Sequence, residues 1–528
     1  MAERAEQAEQ AGHGHGQAGH GQAELGRCHY PRIMIAAPHG ASGKTVTTLG
    51  LLRALRRQGH MVQAYKKGPD FIDTGWHSVA TARQSRNLDS FFMSPDQICQ
   101  VVATSSQDAR LSIIEGAMGL YDGLDIHGSS SSAEIAKITR TPIVLVLDVT
   151  RMTRTAAAVI LGCQLFDPAV RVAGVILNRV RSARQESLLR EAVARYCGIP
   201  VIGALPVNDR LIIPSRHLGL LSSTEANECE QILESLADIV AAAVDLEALL
   251  DLADGVVDLP VTARPPAATP PSASSLALGA RPRVSTQRVR IAVVRDEAFC
   301  FYYPENLQAL EAQGGELLTV DSLRDARLPS DLDALYIGGG FPESYASRLE
   351  ANASFRGSLR GHAEAGLPIC AECGGLVYLG RSLTWQQRCY AMAGALPLDT
   401  HMREHRQAHG YTLLRATEQH PWLKAGTVVK GHEFHHSEVS WRDPSLAFAY
   451  HNIRGTGVQD DRDGIVFRGI VASYTHVNAL ASPAWAEAFV AQARAYRAAR
   501  DCSAAEAGER LTALARKSGR DGSCLPTR

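Results

Sequence analysis

The chain has 528 residues, a formal net charge of −1 and a hydrophobic content of 45%, which suits two or three α/β-sized domains rather than one core. Its 54 basic and 55 acidic side chains nearly balance, which excludes a strong field toward nucleic acid or an anionic membrane. No apolar run approaches the roughly 20 residues that cross a bilayer. The 11 scattered cysteines, with no signal peptide, fit reduced thiols, so we expect a cytoplasmic protein.

Residues 1–30 are polar and rich in glycine and histidine, with AGHGHGQAGHGQ at their centre. They show no hydrophobic periodicity and cannot offset the entropy of ordering, so we predict a flexible tail. Loose metal binding by His13, His15 and His20 is the alternative interpretation.

The rest of the chain divides by pattern and composition. Residues 31–252 alternate short apolar strands with amphipathic helical stretches, which predicts βαβ units on a parallel sheet. Residues 253–288 are rich in Pro, Ala and Ser and indicate a linker. The α/β pattern returns over residues 289–498, and we expect residues 499–528 to form a charged, Ala-rich C-terminal tail that ends in a frayed helix.

A phosphate-binding loop is predicted where the strand IMIAA meets a helical pattern. The turn contains Ser42, Gly43, Lys44 and Thr45, although Pro38 replaces the usual first glycine. Backbone amides and a lysine bind phosphates in such loops, and the threonine hydroxyl can ligate Mg²⁺. The pattern therefore predicts ATP binding. A Gly-Lys-Thr that occurs by chance is the less favoured alternative.

Two acidic segments follow strands at the edge where α/β ligands bind. KKGPDFID carries Asp70 and Asp73, and Glu115 follows the strand RLSII. Mg²⁺ prefers carboxylate and phosphate oxygens, so we assign Asp70 and Glu115, with the threonine hydroxyl, to a magnesium site. Asp73, Tyr121 and Asp122 are assigned to the substrate side of this site, with solvated turns as the alternative.

A cysteine nucleophile is predicted in Pro-Ile-Cys-Ala-Glu-Cys-Gly-Gly. Cys373 lies in a small-residue turn between an apolar strand and a helix, where backbone amides stabilise a thiolate. Cys370 closes the strand and is predicted to be core, although the Cys-x-x-Cys spacing leaves a redox or zinc pair as an alternative.

The base for this cysteine is left open by spacing alone. His476, in SYTH, and the histidines of GHEFHHS at 431–437 are both candidates. Gly339 and Gly340, in GGGFPE, offer exposed backbone amides for an oxyanion hole, with a plain glycine turn as the alternative.

Together these motifs resemble those of a known family. ASGKT, KKGPDFID, EGAMGLYDG, RHLGL, RDEAFCFYYPENL, GGGFPE, AECGGLVYL, GHEFHHS and SYTH occur in this order. The set is similar to that of the cobyrinic acid a,c-diamide synthases, glutamine-hydrolysing amidases of corrinoid biosynthesis. The resemblance covers roughly residues 33–250 and 290–495 and is far more specific than one phosphate loop.

The resemblance implies a dethiobiotin-synthetase-like P-loop domain followed by a class I glutamine amidotransferase domain. It implies a ligase that uses ATP and Mg²⁺ to convert the a and c carboxylates of cobyrinic or hydrogenobyrinic acid into acyl phosphates, which ammonia from L-glutamine then attacks. It selects Cys373 as nucleophile and His476 as base, and places Asp70, Asp73 and Glu115 in the synthetase site. No nucleic acid or membrane partner is expected, and a homodimer is left open.

The sequence departs from the family pattern at two places. Asn478 stands where many members have a second histidine and most class I glutaminases a glutamate, so the third member of the glutaminase site is undetermined. The turn GLYDGLDIHGSSSSAEIAK is longer than usual. Amidation of sirohaem or nickel-sirohydrochlorin is therefore the alternative activity, and a P-loop regulatory ATPase with an inactive glutaminase-like domain is the non-enzyme alternative.

Overall fold

The computed structural model describes residues 26–211, 213, 215–216, 219–220, 226–261, 288–441 and 446–518. Three predictions lie wholly or mostly outside these residues: the tail with His13, His15 and His20, the linker from residue 262 onward, and residues 519–528.

The first half of the chain alternates strands and helices, as its periodicity predicts. Its helices begin and end on local signals: Ser94 and Gln97 form a capping box, and Gly198 ends a helix in the left-handed region. The elements are β1 (Gly26–Cys28), β2 (Arg32–Ala36), α1 (Lys44–Arg57), β3 (Val62–Lys67), α2 (Phe71–Thr81), β4 (Arg86–Leu88), α3 (Pro95–Ser105), β5 (Leu111–Glu115), α4 (Ser132–Ile138), β6 (Ile143–Asp148), α5 (Thr155–Phe166), β7 (Val172–Val180), α6 (Ala183–Cys197), β8 (Val201–Pro206), β9 (Ser215–Arg216), β10 (Gly219–Leu220), α7 (Ala226–Ala243), α8 (Leu246–Asp254) and β11 (Leu259–Val261).

Seven of these strands form one parallel sheet in the order β4-β3-β5-β2-β6-β7-β8. Buried apolar side chains cover both faces, as expected when helices pack on each side. Because every strand runs the same way, the carboxyl ends of β2, β3, β5 and β7 meet at one edge. Ligands of such sheets bind at that edge.

The second half begins with the same pattern and then becomes strand-rich. Its elements are β12 (Val289–Val294), β13 (Phe299–Phe301), α9 (Pro304–Ala312), β14 (Gly315–Val320), β15 (Ala334–Ile337), β16 (Gly339–Gly340), α10 (Ala346–Ala351), α11 (Ala353–Glu364), β17 (Ile369–Glu372), α12 (Gly374–Leu379), β18 (Ser382–Trp385), β19 (Arg388–Ala391), β20 (Leu398–Met402), β21 (Ala408–Ala416), β22 (Val428–His435), β23 (Ser437–Trp441), β24 (Ala447–Arg454), β25 (Arg462–Phe467), β26 (Ile470–Ser473), β27 (His476–Val477) and α13 (Pro483–Ser518).

Ten strands of this half form a mixed sheet in the order β14-β12-β15-β17-β26-β25-β24-β21-β22-β27. The strands from β14 to β26 are parallel, and the pairings beyond β26 are antiparallel. A separate four-stranded sheet has the order β19-β18-β20-β23. The parallel part places the end of β17 beside the end of β26.

Regular structure occurs in two segments whose composition indicates a tail and a linker. Strand β1 lies in the predicted tail and pairs antiparallel with β11, which lies in the predicted linker. Such short strands resemble polar linkers in composition, so composition alone misses them. Helix α13 continues past residue 498 to Ser518, in the segment where a frayed helix is expected.

The two halves of the chain are joined by buried and partly buried polar contacts. Arg86 Nη1 lies 2.5 Å from Glu305 Oε1, and the Tyr411 hydroxyl donates to Asp89 Oδ2 at 2.7 Å. The Lys430 ammonium also donates to the backbone carbonyl of a residue in the first half at 3.0 Å. These contacts hold β4 and the loop after it against the second half.

Within the part of the chain that the structure describes, no helix combines the length and the apolar character that crossing a membrane requires.

Candidate functional site

The predicted phosphate loop lies between β2 and α1. Gly43 has φ of 92°, and a Cβ atom there would lie 2.2 Å from Asn178 Nδ2, so this position requires glycine. Asn178 donates to the Ser42 carbonyl at 2.9 Å and holds the loop against the end of β7. Sequence analysis missed Asn178, because only the strand order brings β7 to the loop.

Lys44 lies across the mouth of this loop. Its buried ammonium donates to the carbonyls of Met118 at 2.7 Å and His39 at 3.2 Å. Burial, together with the positive charge of Lys66, lowers the pKa of Lys44. A bound phosphate would relieve both effects, because an anion favours the charged form of the lysine.

A buried charged cluster lies beside the loop and centres on Glu115, the last residue of β5. Glu115 Oε1 accepts from the Thr45 hydroxyl and the Lys66 ammonium, each at 2.7 Å, and Oε2 lies 2.7 Å from His77 Nε2. Lys66 also lies 2.5 Å from Asp73 Oδ2. The structure thus brings the predicted Thr45, Asp73 and Glu115 together. Lys66 and His77 were missed, although a lysine pair inside an apolar strand was a usable signal.

Negative charge exceeds positive charge in this cluster. Burial would lower the pKa of Lys66, but Asp73 and Glu115 raise it, so the lysine stays charged. Burial would raise the pKa of Glu115, whereas Lys66 and His77 hold it well below its usual range. For Asp73, burial and the nearby Asp70 raise the pKa to about 7 despite Lys66. A further cation near Asp73 would therefore be stabilised.

The predicted magnesium residues fit a cation that arrives with a nucleotide. In the described residues, no group of three or more His, Cys, Asp or Glu side chains could hold a metal alone. Mg²⁺ is commonly bound by one or two carboxylates with phosphate oxygens and water, which matches Thr45 beside Glu115. Asp70 uses Oδ1 to accept from the Asp73 amide at 2.8 Å, which leaves its other oxygen for a ligand.

The two remaining predicted synthetase residues lie in the turn after β5. The Tyr121 hydroxyl donates to the Cys163 carbonyl of α5 at 2.5 Å, and its ring packs on Phe166 at 4.7 Å. Asp122 Oδ2 accepts from the Gly119 amide at 2.8 Å. In this structure Tyr121 therefore packs against α5, and Asp122 fixes the turn.

Cys373 lies on a strained turn between β17 and α12. Its φ of 47° and ψ of −100° are unfavourable for a residue with a side chain, and its amide donates to the Ser473 carbonyl at 2.7 Å. This is the tight turn that the sequence predicts. Cys370 is buried in β17, and burial raises the pKa of its thiol well above the usual range, as a core cysteine requires.

The strand register settles the geometry of the histidines. His432 and His476 are paired residues of β22 and β27, and their rings stack at 4.9 Å. Burial would lower the pKa of His476, but Cys373 and Glu372 beside it raise it to about 9. Burial and the charge of His476 lower the pKa of His432, whose Nδ1 lies 3.0 Å from the Tyr303 hydroxyl. His476 is thus the histidine at the cysteine.

Glu372, which sequence analysis missed, lies next to His476. Its Oε2 is 3.6 Å from His476 Nδ1, and Nδ1 has no hydrogen-bond partner among the described residues. The carboxylate also accepts from the Tyr336 hydroxyl at 3.0 Å and the Val477 amide at 3.1 Å. A glutamate directly before the nucleophile, at the end of an apolar strand, was the available signal.

Asn478 has a different place in the structure. Its Oδ1 accepts from the amides of Leu480 and Ala481 at 3.1 and 3.2 Å. Asn478 therefore stabilises the turn before α13, and the nearest carboxylate to the histidine comes from β17 instead.

The predicted oxyanion glycines lie beside the histidine and the cysteine turn: Gly339 against His476, and Gly340 against Gly374. A Cβ atom at Gly339 would lie 2.4 Å from His476 Cε1, and one at Gly374 would lie 3.1 Å from the Gly340 amide nitrogen. Only glycine allows β16 to approach the cysteine turn this closely. The structure brings both glycines to the site, and their role as amide donors stays a prediction.

Comparison with known proteins gives two consecutive family matches. Residues 33–221 match the CobQ/CobB/MinD/ParA nucleotide binding domain, and residues 290–484 match the CobB/CobQ-like glutamine amidotransferase domain. These spans contain the phosphate loop with its charged cluster and the cysteine–histidine site, respectively.

Three curated relatives carry the same name, cobyrinate a,c-diamide synthase. The protein from Magnetococcus marinus is 40% identical over 86% of this chain and 96% of its own length. Those from Archaeoglobus fulgidus and Listeria monocytogenes are 41% and 39% identical, over 88% and 85% of this chain and 97% and 96% of their own lengths. The similarity therefore extends through both halves.

Proposed function

Because the chain belongs to the cobyrinate a,c-diamide synthase family, we propose that it amidates the a and c carboxylates of cobyrinic or hydrogenobyrinic acid. It uses ATP and L-glutamine, and the reaction belongs to cobalamin biosynthesis. The observation that carries the proposal is the presence, in one chain, of a phosphate loop with the buried Lys44 beside the charged cluster of Lys66 and Glu115, and of a cysteine–histidine pair.

The glutaminase half releases ammonia. Cys373 Sγ attacks the carboxamide carbon of glutamine, and His476 transfers the thiol proton to the departing nitrogen, which leaves as ammonia. Water then cleaves the glutamyl thioester, with the same histidine as base. The amides of Gly339 and Gly340 stabilise the oxyanion, and the charge of Glu372, 3.6 Å from Nδ1, orients His476.

The synthetase half activates the carboxylate. Lys44 and Lys66 bind the outer phosphates of ATP, and the substrate carboxylate attacks the terminal phosphorus to give an acyl phosphate and ADP. Thr45, Glu115 and Asp70 would hold Mg²⁺, which would neutralise charge on the phosphates. Ammonia then attacks the acyl carbon, and phosphate leaves. Asp73, whose pKa of about 7 is raised by burial and nearby carboxylates, can accept the surplus ammonium proton.

The test compares acceptor acids. The full chain is incubated with ATP, Mg²⁺ and glutamine against cobyrinic acid, hydrogenobyrinic acid, sirohaem and nickel-sirohydrochlorin, and amides are counted by mass. We expect two amides on a corrinoid acid and none on the others. Amidation of only sirohaem or nickel-sirohydrochlorin would replace the proposed substrate, and ATP hydrolysis without any amide would favour a regulatory ATPase. Cytoplasmic location and homodimerisation stay predictions.

A further inference from the structure

Phe71 is a residue of the first half that reaches the catalytic histidine of the second. It is the first residue of α2, directly after Asp70 and two residues before Asp73. Its ring is surrounded by aromatic side chains of the other half, at centroid distances of 5.2 Å from Phe301, 4.6 Å from Tyr303, 5.4 Å from His432 and 5.2 Å from His476.

The other face of the same helical turn belongs to the buried charged cluster of Lys66, Asp73 and Glu115, the synthetase cluster. Asp73 binds Lys66, and Lys66 binds Glu115, whose second contact is the Thr45 hydroxyl of the phosphate loop. The turn itself is held by two side-chain hydrogen bonds, from the Asp73 amide to Asp70 Oδ1 and from the Thr74 hydroxyl to the Asp70 carbonyl. A displacement of Asp73 therefore carries the start of α2 with it.

We propose that Phe71 is a positioning residue for His476, through which occupation of the synthetase site raises the glutaminase rate. The inference rests on the proposed function of both sites. Phosphate and Mg²⁺ change the charge around Asp73 and Lys66, which shifts the first turn of α2 and the ring of Phe71 packed on the imidazole.

The imidazole ring of His476 can still rotate toward Glu372. His476 Nδ1 is 3.6 Å from Glu372 Oε2, which is longer than a hydrogen bond, and Nδ1 has no other partner in the described part of the chain. A small rotation of the ring, driven by Phe71, closes this gap and aligns the base with Cys373. Catalytic hydrogen bonds commonly tighten in this way when ligands bind.

The experiment measures glutaminase turnover with and without ATP, Mg²⁺ and cobyrinic acid, and amidation driven by ammonium chloride. The variants are Phe71→Leu, which keeps apolar volume but loses the ring, and Phe71→Tyr, which keeps the ring. Phe91→Leu is the matched control, because Phe91 stacks on Tyr411 across the same contact between halves at 4.3 Å, among different partners.

In the wild type we expect ATP, Mg²⁺ and the acid to raise the glutaminase rate at least about fivefold. In Phe71→Leu this ratio falls below about twofold while ammonium-driven amidation stays within about twofold of wild type, and Phe71→Tyr restores the ratio. Phe91→Leu keeps it. Retained ammonium-driven activity shows that Phe71→Leu is folded.

The inference would be overturned by a wild-type glutaminase whose rate does not respond to the synthetase ligands, or by a Phe71→Leu protein that responds as the wild type does. An equal loss of response in Phe91→Leu would also overturn it, because general loosening of the contact between halves would then explain the effect. A wild type that forms no amide from glutamine or ammonium would refute the proposed function itself, and the inference with it.

Discussion

The synthetase cluster and the glutaminase cluster, which consists of Cys373, His476 and Glu372, are both buried, but they differ in charge. Around Lys66, three carboxylates approach one lysine, and burial and the neighbouring carboxylates raise the pKa of Asp73 to about 7. Around His476, a thiol and one carboxylate suffice to raise the imidazole pKa to about 9. In the synthetase cluster, a cation and phosphates are expected to come from bound ligands. In the glutaminase cluster, the charges are paired among its own residues.

This difference predicts two classes of variant. Changes at the glutaminase cluster should remove one nitrogen source and leave the ligation chemistry, because the synthetase half needs only ammonia. Changes at the synthetase cluster should abolish amidation whatever supplies the nitrogen. The predictions below test this division, beginning with the largest expected effect.

Cys373→Ala should lower glutamine-dependent amidation by roughly 10⁴-fold or more, because no other group forms the thioester. Ammonium-driven amidation should stay near the wild-type rate. The measurement is amide formation with each nitrogen source. The control is Cys370→Ala, a buried core cysteine three residues away, which should retain most of the glutamine-dependent rate and lose stability on the order of 1 kcal/mol.

Failure of ammonium to rescue a folded Cys373→Ala protein would break the comparison between the two sites. Equal inactivity of Cys370→Ala with glutamine would indicate that the two cysteines act as a pair, as the spacing alone allows.

Lys44→Ala should lower amidation by about 10²- to 10³-fold with either nitrogen source, because it removes a charge from the phosphates. The thermal midpoint should change little, since the partners of Lys44 Nζ among the described residues are the backbone carbonyls of His39 and Met118 and not a charged side chain. Lys137→Ala is the matched control, because that lysine pairs with Asp167 at the surface. If ammonium-driven amidation continued at the wild-type rate in Lys44→Ala, the assignment of the phosphate loop would be wrong.

Much of the fold followed from local pattern, because each signal lay within a few residues. The βαβ rhythm predicted the parallel sheet, which the structure has, and the small residues around Cys373 predicted the turn between β17 and α12. The family resemblance is confirmed by both domain matches and by the curated relatives.

The contacts that complete each site could not be predicted in the same way. Asn178 reaches the phosphate loop only through the order of the strands, and His432 meets His476 only through the register of β22 and β27. Glu372 could not be predicted because the family pattern indicates an acidic partner two residues after the histidine, where Asn478 forms a turn. Such contacts depend on pairing between distant segments, which local periodicity does not encode.

Glu372→Gln should lower the glutaminase rate by roughly 10- to 100-fold, because the base remains but loses its orienting charge. Glu372 helps to raise the pKa of His476 to about 9 and so stabilises the imidazolium that protonates the departing nitrogen. Its neutralisation should therefore move the alkaline limb of the kcat/KM profile, where this proton is lost, to lower pH. The measurement is the pH profile of glutaminase activity, with ammonium-driven amidation unchanged.

Glu433→Gln provides the control for Glu372→Gln. Glu433 is equally buried, but its carboxylate accepts from the backbone amides of Thr456 and Gly457 at 2.6 and 2.8 Å. The Glu433→Gln substitution should lower the stability of the protein without moving the alkaline limb of the kcat/KM profile. An unmoved limb in Glu372→Gln would show that this carboxylate only supports the strand.

The smallest effect is expected at the contact between the two halves, where Asp89 belongs to neither cluster. Burial raises the pKa of Asp89 to about 6, although the Tyr411 hydroxyl and the Phe91 amide lower it. Its unfolded pKa is about 3.9. The folded protein therefore binds this proton more tightly, and the stability that Asp89 contributes below about pH 4 is lost as pH rises through 6. Asparagine is neutral at every pH: its Oδ1 can accept from the Phe91 amide, and its Nδ2 can donate to the Tyr411 hydroxyl oxygen in place of the bond that the carboxylate accepts. Asp89→Asn should thus exceed the wild type in stability by on the order of 1 kcal/mol at pH 8 and match it near pH 4, as measured by thermal midpoints at both values. If the variant were less stable at pH 8, the Asp89 carboxylate would be a stabilising charge, and this contact would resemble the glutaminase cluster in holding its charges among its own residues.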